Sequence, residues 1–164
     1  MERWAKIREF PDYMISDRGR VRNEEADRLM ALQVNQAGIV NVGLTKHMRQ
    51  YKRAVGKLVA QEFLPPPPRA SFDSVINLDG DRTNNRAENL AWRPKWFAIR
   101  YFRQFYSGHR GFVVPVYEVH TGEVFDTSWD AAVKYGLIDQ DILQASINNT
   151  YVWPTNQMFK PYHP

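Results

Sequence analysis

The stretch VINLDGDRTNNRAENLAW, residues 75–92, decides how this chain is read. Val75-Ile76-Asn77-Leu78 is an apolar run suited to a strand. Asp79-Gly80-Asp81 is a turn signal, because glycine admits positive φ and aspartate bonds to nearby backbone amides. Asn84-Asn85 then leads into Arg86 to Trp92, so the expected order is strand, loop, helix.

Working outward, the four prolines Pro65 to Pro68 form a stiff spacer and stop whatever helix precedes them, since proline lacks the amide donor. Before them, apolar residues at Val55, Leu58, Val59, Ala60, Phe63 and Leu64 keep a helical period over Tyr51–Leu64. Ile39, Val40, Val42 and Leu44 suggest a hairpin, and residues 1–23 read as short strands turning at Asp17-Arg18-Gly19-Arg20. On the other side, residues 93–111 mix a basic block with Trp96, Phe97, Tyr101, Phe102, Phe105 and Tyr106, the pattern of an amphipathic helix with a basic outer face. The rest predicts β-β-α-α: Val114–Val119, Val124-Phe125, a helix over Trp129–Tyr135 with Ser128 as N-cap, and a second near Asp139–Ile147.

Composition narrows the classes. With 43% hydrophobic and 24% charged residues the chain is globular and not disordered. It has no cysteine, which excludes disulfides and thiolate metal sites. No run approaches the roughly 20 apolar residues of a membrane span, and the expected setting is the cytoplasm, without a membrane partner. The net charge is +4, with −4 from Val114 onward and +8 before it. Two acid-free basic stretches, Lys46–Lys57 and Arg93–Arg110, supply the surface that attracts a phosphate backbone.

Three groups of residues point to one architecture. Trp4 and Ile7, then Phe10-Pro11-Asp12-Tyr13-Met14-Ile15-Ser16 and Gly19-Arg20-Val21-Arg22-Asn23, form the first. Val55-Gly56-Lys57-Leu58-Val59-Ala60-Gln61-Glu62-Phe63-Leu64-Pro65, the 75–81 stretch, Asn84-Asn85 and Glu88-Asn89-Leu90-Ala91-Trp92 form the second, and Val116–Val119 through Thr121–Phe125 to Ser128–Ala132 the third. In this order they resemble the HNH homing endonucleases of phages and introns, the His-Me finger family. The resemblance implies an α+β fold: a β-rich N-terminal endonuclease-associated module (1–50), a ββα-metal HNH core (51–93), a basic aromatic linker (94–112), and a C-terminal β-β-α-α, helix-turn-helix-like DNA-binding module (113–164).

It also implies a reaction, metal-dependent phosphodiester hydrolysis in which a histidine activates water and a divalent ion such as Mg2+ stabilises the developing charge. At the family's metal-ligand and general-base positions this chain has Ile76 and Asn77, and at the remaining ligand Ala98. Gly56 stands where the family has a further histidine, while Asn89 is kept. Isoleucine and alanine offer no lone pair and an asparagine amide does not titrate, so the resemblance implies a bacteriophage-type pseudoenzyme that binds double-stranded DNA, uses no cofactor and does not cut. Arg49, Lys52, Arg53, Arg100 and Arg103 are the expected DNA contacts.

Two alternatives stay open. One is an active nuclease with Asp79, Asp81 and Asp73 as recruited magnesium ligands and His47 or His109 as base. The other is a phage regulator that captures a protein partner through its acidic C-terminal module. In that module Gln144, Ser146, Asn148, Asn149 and Thr150 are able to hydrogen-bond bases, but six acids against two lysines oppose an approach to phosphate.

Overall fold

Period-two alternation builds most of the first half. In the computed structural model, which describes residues 1–108 and 111–164, the strands β1 (Trp4–Ile7), β2 (Phe10–Ser16), β3 (Val21–Asn23) and β4 (Arg28–Leu29) form an antiparallel sheet in chain order. His109 and Arg110, a candidate base and the end of the basic block, lie outside the described residues. Between β2 and β3 the Ser16 hydroxyl accepts from the backbone N–H of Arg18 and Arg20. Gly19 takes φ +85° there, and a Cβ on it would sit 3.2 Å from the Cβ of Asn85. Glycine therefore serves both the turn and the close approach of the 84–87 loop, whose Ala87 N–H donates to the Asp17 carbonyl.

A second sheet holds β5 (Leu32–Val34), β6 (Val40–Lys46) and β7 (Arg49–Ala54). The expected helix over Tyr51–Leu64 is thus corrected at its start: residues 49–54 pair along all of β6 except Val40, and α1 covers only Val55–Phe63. It ends where Leu64 N–H makes the last bond to Ala60 O, before Pro65 withholds the next donor. Strands β8 (Ser74–Asn77) and β9 (Leu90–Arg93) pair antiparallel, Ile76 opposite Ala91 and Asn77 opposite Leu90. Leu90–Trp92 is accordingly strand and not helix; only Ala87–Asn89 makes a single 3-10 turn. One core joins the two larger sheets and α1 through Ile7, Phe10, Ile15, Val42, Leu44 and Leu58, and Leu90 reaches into it.

The chain divides into two compact units, Met1–Lys95 and Trp96–Pro164. The second opens with α2 (Lys95–Ser107), the helix that completes β-β-α in chain order. Phe97, Ala98, Tyr101, Phe102 and Gln104 are its buried residues, whereas Lys95, Trp96, Ile99, Arg100, Arg103 and Tyr106 are exposed. Strands β10 (Val116–Glu118) and β11 (Val124–Phe125) and helices α3 (Ser128–Tyr135) and α4 (Asp139–Asn148) follow, then β12 (Phe159–Pro161), which pairs with β10 and extends the expected β-β-α-α to β-β-α-α-β. Val116, Phe125, Ala132, Leu137, Ile142 and Phe159 form its core. The N-cap of α3 is Thr127 and not Ser128: Thr127 and Asp130 make a reciprocal capping box, and Gly136 closes the helix at φ +68°. The mixed α+β class is as expected.

Candidate functional site

The loop between β8 and β9 is held by carboxamides. Asn77, buried at the end of β8, donates through Nδ2 to the Asn84 carbonyl at 2.9 Å and to Asn85 Oδ1 at 3.0 Å. Asn89 Nδ2 donates to Asp79 Oδ1 and to the Asn84 carbonyl, both at 2.9 Å, while its Oδ1 accepts the Asp79 N–H at 3.1 Å. Asn84 Nδ2 donates to Asp79 Oδ2 at 2.8 Å, and the Asp81 N–H donates to Asp79 Oδ1 at 2.9 Å. Asp79 thus has both carboxylate oxygens committed to ordering the loop. Burial opposes its ionisation, but these amide donors outweigh that and hold its carboxyl below the usual aspartate range. Asp81 is likewise occupied, accepting from the N–H and hydroxyl of Thr83.

Close by, Gly56 lies on α1 such that a Cβ there would come 2.7 Å from Asn85 Oδ1. The room a side chain at 56 would need is filled by the carboxamide that Asn77 grips. Ile76 is fully buried beside Asn77, and Ala98 is buried on α2. This donor set does not fit the divalent ion the resemblance implies: two of the positions carry hydrocarbon, and Asn77 presents amide hydrogens to its own loop. Among the described residues no group of three His, Asp or Glu is arranged to hold a metal ion. Asp73 and His47 are exposed, the latter in the β6–β7 turn at φ +52°.

The basic residues fall into two kinds. Arg49 and Lys52 are exposed on β7, as is Arg103 on α2. Arg53 instead packs its guanidinium over Phe10 and Tyr51 and lies 3.4 Å from Glu9, and Arg100 makes two hydrogen bonds to Asp141 at 3.1 and 3.3 Å. Register puts Asn41, Gly43 and Thr45 opposite Ala54, Lys52 and Gln50, on the face away from Val42 and Leu44. A groove of about 750 Å³ lies against this sheet, with Arg28, Gln33, Asn41, Gln50 and Lys52 on its walls beside the apolar Leu29, Met30 and Tyr51. Gln50 lies across Gly43, where a Cβ would meet its Nε2 at 2.6 Å. Sequence reading missed Arg28, Gln33 and Gln50; the alternation Gln50, Lys52 against Asn41, Gly43 was the available signal.

Five of the second unit's six acids are used internally, and Asp126 is exposed. Glu118, with its side chain 1% exposed, accepts from the N–H of His120, Thr121 and Met158 and lies 2.9 Å from His120 Nδ1. Burial opposes its ionisation, yet the His120 contact and the three amides prevail and lower its carboxyl to about 2. Asp139 is buried against the Ser128 hydroxyl and the Gly111 N–H. Asp130 serves the capping box, Glu123 binds Lys134, and Asp141 binds Arg100. The acidic balance of this module therefore does not make an acidic surface of matching strength. No helix among the described residues is long and apolar enough to cross a membrane.

Comparison with known proteins bears on the fold and on the sequence. Residues 2–45 match the NUMOD4 motif. Two uncharacterized HNH endonucleases of Acanthamoeba polyphaga mimivirus are 32% identical over 90 residues and 33% identical over 94, covering 55% and 56% of this chain. These matches span only 26% and 23% of the relatives, so the chain covers about a quarter of their length. The solved structure described as DNA binding and cleavage by the HNH homing endonuclease I-HmuI aligns over 99% of both chains, with a TM-score of 0.57 and 18% identity. The chain is therefore HNH-endonuclease-like in sequence and has the fold of an HNH homing endonuclease along its whole length.

Proposed function

We propose that this protein binds duplex DNA on a homing-endonuclease scaffold and does not hydrolyse it. One observation carries the reading: the side chain at the family's general-base position is Asn77, buried, with its amide hydrogens given to Asn84 and Asn85. A group that does not titrate near neutral pH and is tied into its own loop cannot take a proton from water. The apolar Ile76 and Ala98 support the same conclusion. Duplex DNA as ligand is supported by the exposed Arg49, Lys52 and Arg103, by the arginine, lysine and carboxamide side chains on the groove beside β5–β7, and by the likeness to the DNA-binding and DNA-cleaving HNH homing endonuclease I-HmuI. Strands of a β-hairpin are among the elements that enter the major groove, where carboxamide and basic side chains meet base edges.

The test is incubation of supercoiled plasmid with purified protein in magnesium, manganese or chelator, with a gel shift in parallel. The expected outcome is a shift without nicking in every condition, and nicking by an Ile76→Asp, Asn77→His, Ala98→Asn triple variant that still shifts DNA. Metal-dependent nicking by the unaltered protein overturns the reading.

A further inference from the structure

We propose that helix α4 reads A·T base pairs in the major groove through Gln140, Gln144 and Asn148, with Ile147 against thymine methyl groups. This deepens the DNA-binding reading above and rests on it. The four residues are all exposed, Ile147 at 67%, and fall within an arc of about 100° on the helix. The opposite side is the buried one, with Asp139, Ile142, Ala145 and Ser146. Among the described residues, no side-chain hydrogen bond of the unit engages these three carboxamides at i, i+4 and i+8, and the isoleucine beside them is exposed.

Their chemistry selects the ligand. A Gln or Asn carboxamide pairs in two places with adenine, accepting from N6 and donating to N7, and an apolar side chain meets the C5 methyl that only thymine carries. From Gln140 to Asn148 the stripe runs about 12 Å, enough for three to four stacked base pairs. The charge around it permits the approach. Asp139 is buried, and Asp141, at the edge of the stripe, is neutralised by Arg100. The face that meets the groove is thus uncharged carboxamide and hydrocarbon, although α4 carries two aspartates in its first turn. A guanine reader would present Arg or Lys on this stripe instead.

The full-length protein is titrated with poly(dA·dT), poly(dG·dC) and poly(dI·dC) duplexes by fluorescence anisotropy at fixed salt. Inosine–cytosine pairs show the minor groove of A·T and the major groove of G·C, so a major-groove reader must treat poly(dI·dC) as G·C. The expected result is tighter binding of poly(dA·dT) than of the other two, each carboxamide contributing roughly fivefold to a hundredfold. A Gln140→Ala, Gln144→Ala, Asn148→Ala triple variant should keep its affinity for poly(dG·dC) and lose the preference. Because alanine favours helix, that variant should also keep its helical circular dichroism. Equal binding of all three duplexes, preference for poly(dI·dC) equal to that for poly(dA·dT), or a preference that survives the triple variant each overturns this assignment alone. Failure to bind any duplex at low salt overturns the DNA-binding reading as well.

Discussion

At the scale of single residues, the loss of catalytic groups is a set of linked changes. Asn77 is held by Asn85, and Asn85 occupies the space that a side chain at position 56 would claim. A histidine at 56 and this carboxamide pair exclude one another, so Gly56 is a packing requirement of the present arrangement. Gly56→Ala should therefore destabilise by about 1–3 kcal/mol through overpacking, although alanine is the better helix former. On an Asn85→Ala background the same substitution should be neutral or stabilising. Urea denaturation of the four proteins in that double-mutant cycle gives the coupling, and additive effects of the two substitutions would show that Asn85 is not what Gly56 accommodates. Asn89 and Asp79 were legible from sequence as scaffold; that Asp79 is saturated by Asn84, Asn89 and Asp81 was not, because hydrogen bonds to partners two, five and ten residues away depend together on the folded path of the loop.

At the scale of elements, periodicity located most elements and failed where a sheet partner decides between strand and helix. The N-terminal strands, α3 and α4 lie where turn signals and apolar spacing put them, although α3 is capped one residue earlier than expected, by Thr127, and α4 begins after Ile138 without a side-chain cap. The start of α1 does not: Tyr51 continues a helical spacing, but Gln50–Arg53 alternates in burial and Arg49–Ala54 finds β6 already beside it across a tight turn. Leu90–Trp92 is too brief for period to separate strand from helix, and β8 supplied the deciding partner. Strand β12 has three residues, ends in proline and pairs with a strand some forty positions earlier, which no local pattern encodes. That pairing is reinforced by Glu118, the last residue of β10, whose carboxylate takes the N–H of Met158 next to β12. Its folded pKa of about 2 lies below the ordinary 4.5, so its contribution is complete above about pH 4.5 and is lost as pH falls toward 2. The shift corresponds to about 3 kcal/mol. Glu118→Gln should lower stability at pH 7 and flatten the decline between pH 5 and about 2, followed by thermal melts across that range. An unchanged slope would mean that other carboxylates govern acid unfolding of this unit.

At the scale of the molecule, the charge split of +8 and −4 suggests a DNA-binding half and a half that DNA should repel. The structure gives the negative part a different meaning. Glu118 and Asp139 are buried, Asp130 caps a helix, and Glu123 and Asp141 have cationic partners, so their charge is spent inside the second unit. The first unit leaves Arg49 and Lys52 exposed, while Arg53 is absorbed by Phe10, Tyr51 and Glu9. Phosphate attraction and base reading are then separable. Each lysine or arginine that meets a phosphate adds roughly 0.9 to the slope of log affinity against log salt, whereas a carboxamide on a base edge adds none. Lys52→Ala should reduce that slope by about one on any duplex, with preference among duplexes intact, and Arg49→Ala, on the opposite face of β7, should reduce it less. Arg53→Ala should leave the slope nearly unchanged and lower stability instead, because its guanidinium packs on two rings. Salt titrations of these three variants against one duplex test the assignment. A slope that falls for Arg53→Ala and not for Lys52→Ala would mean that the hairpin meets DNA with its other face, since β7 alternates these two side chains across the sheet.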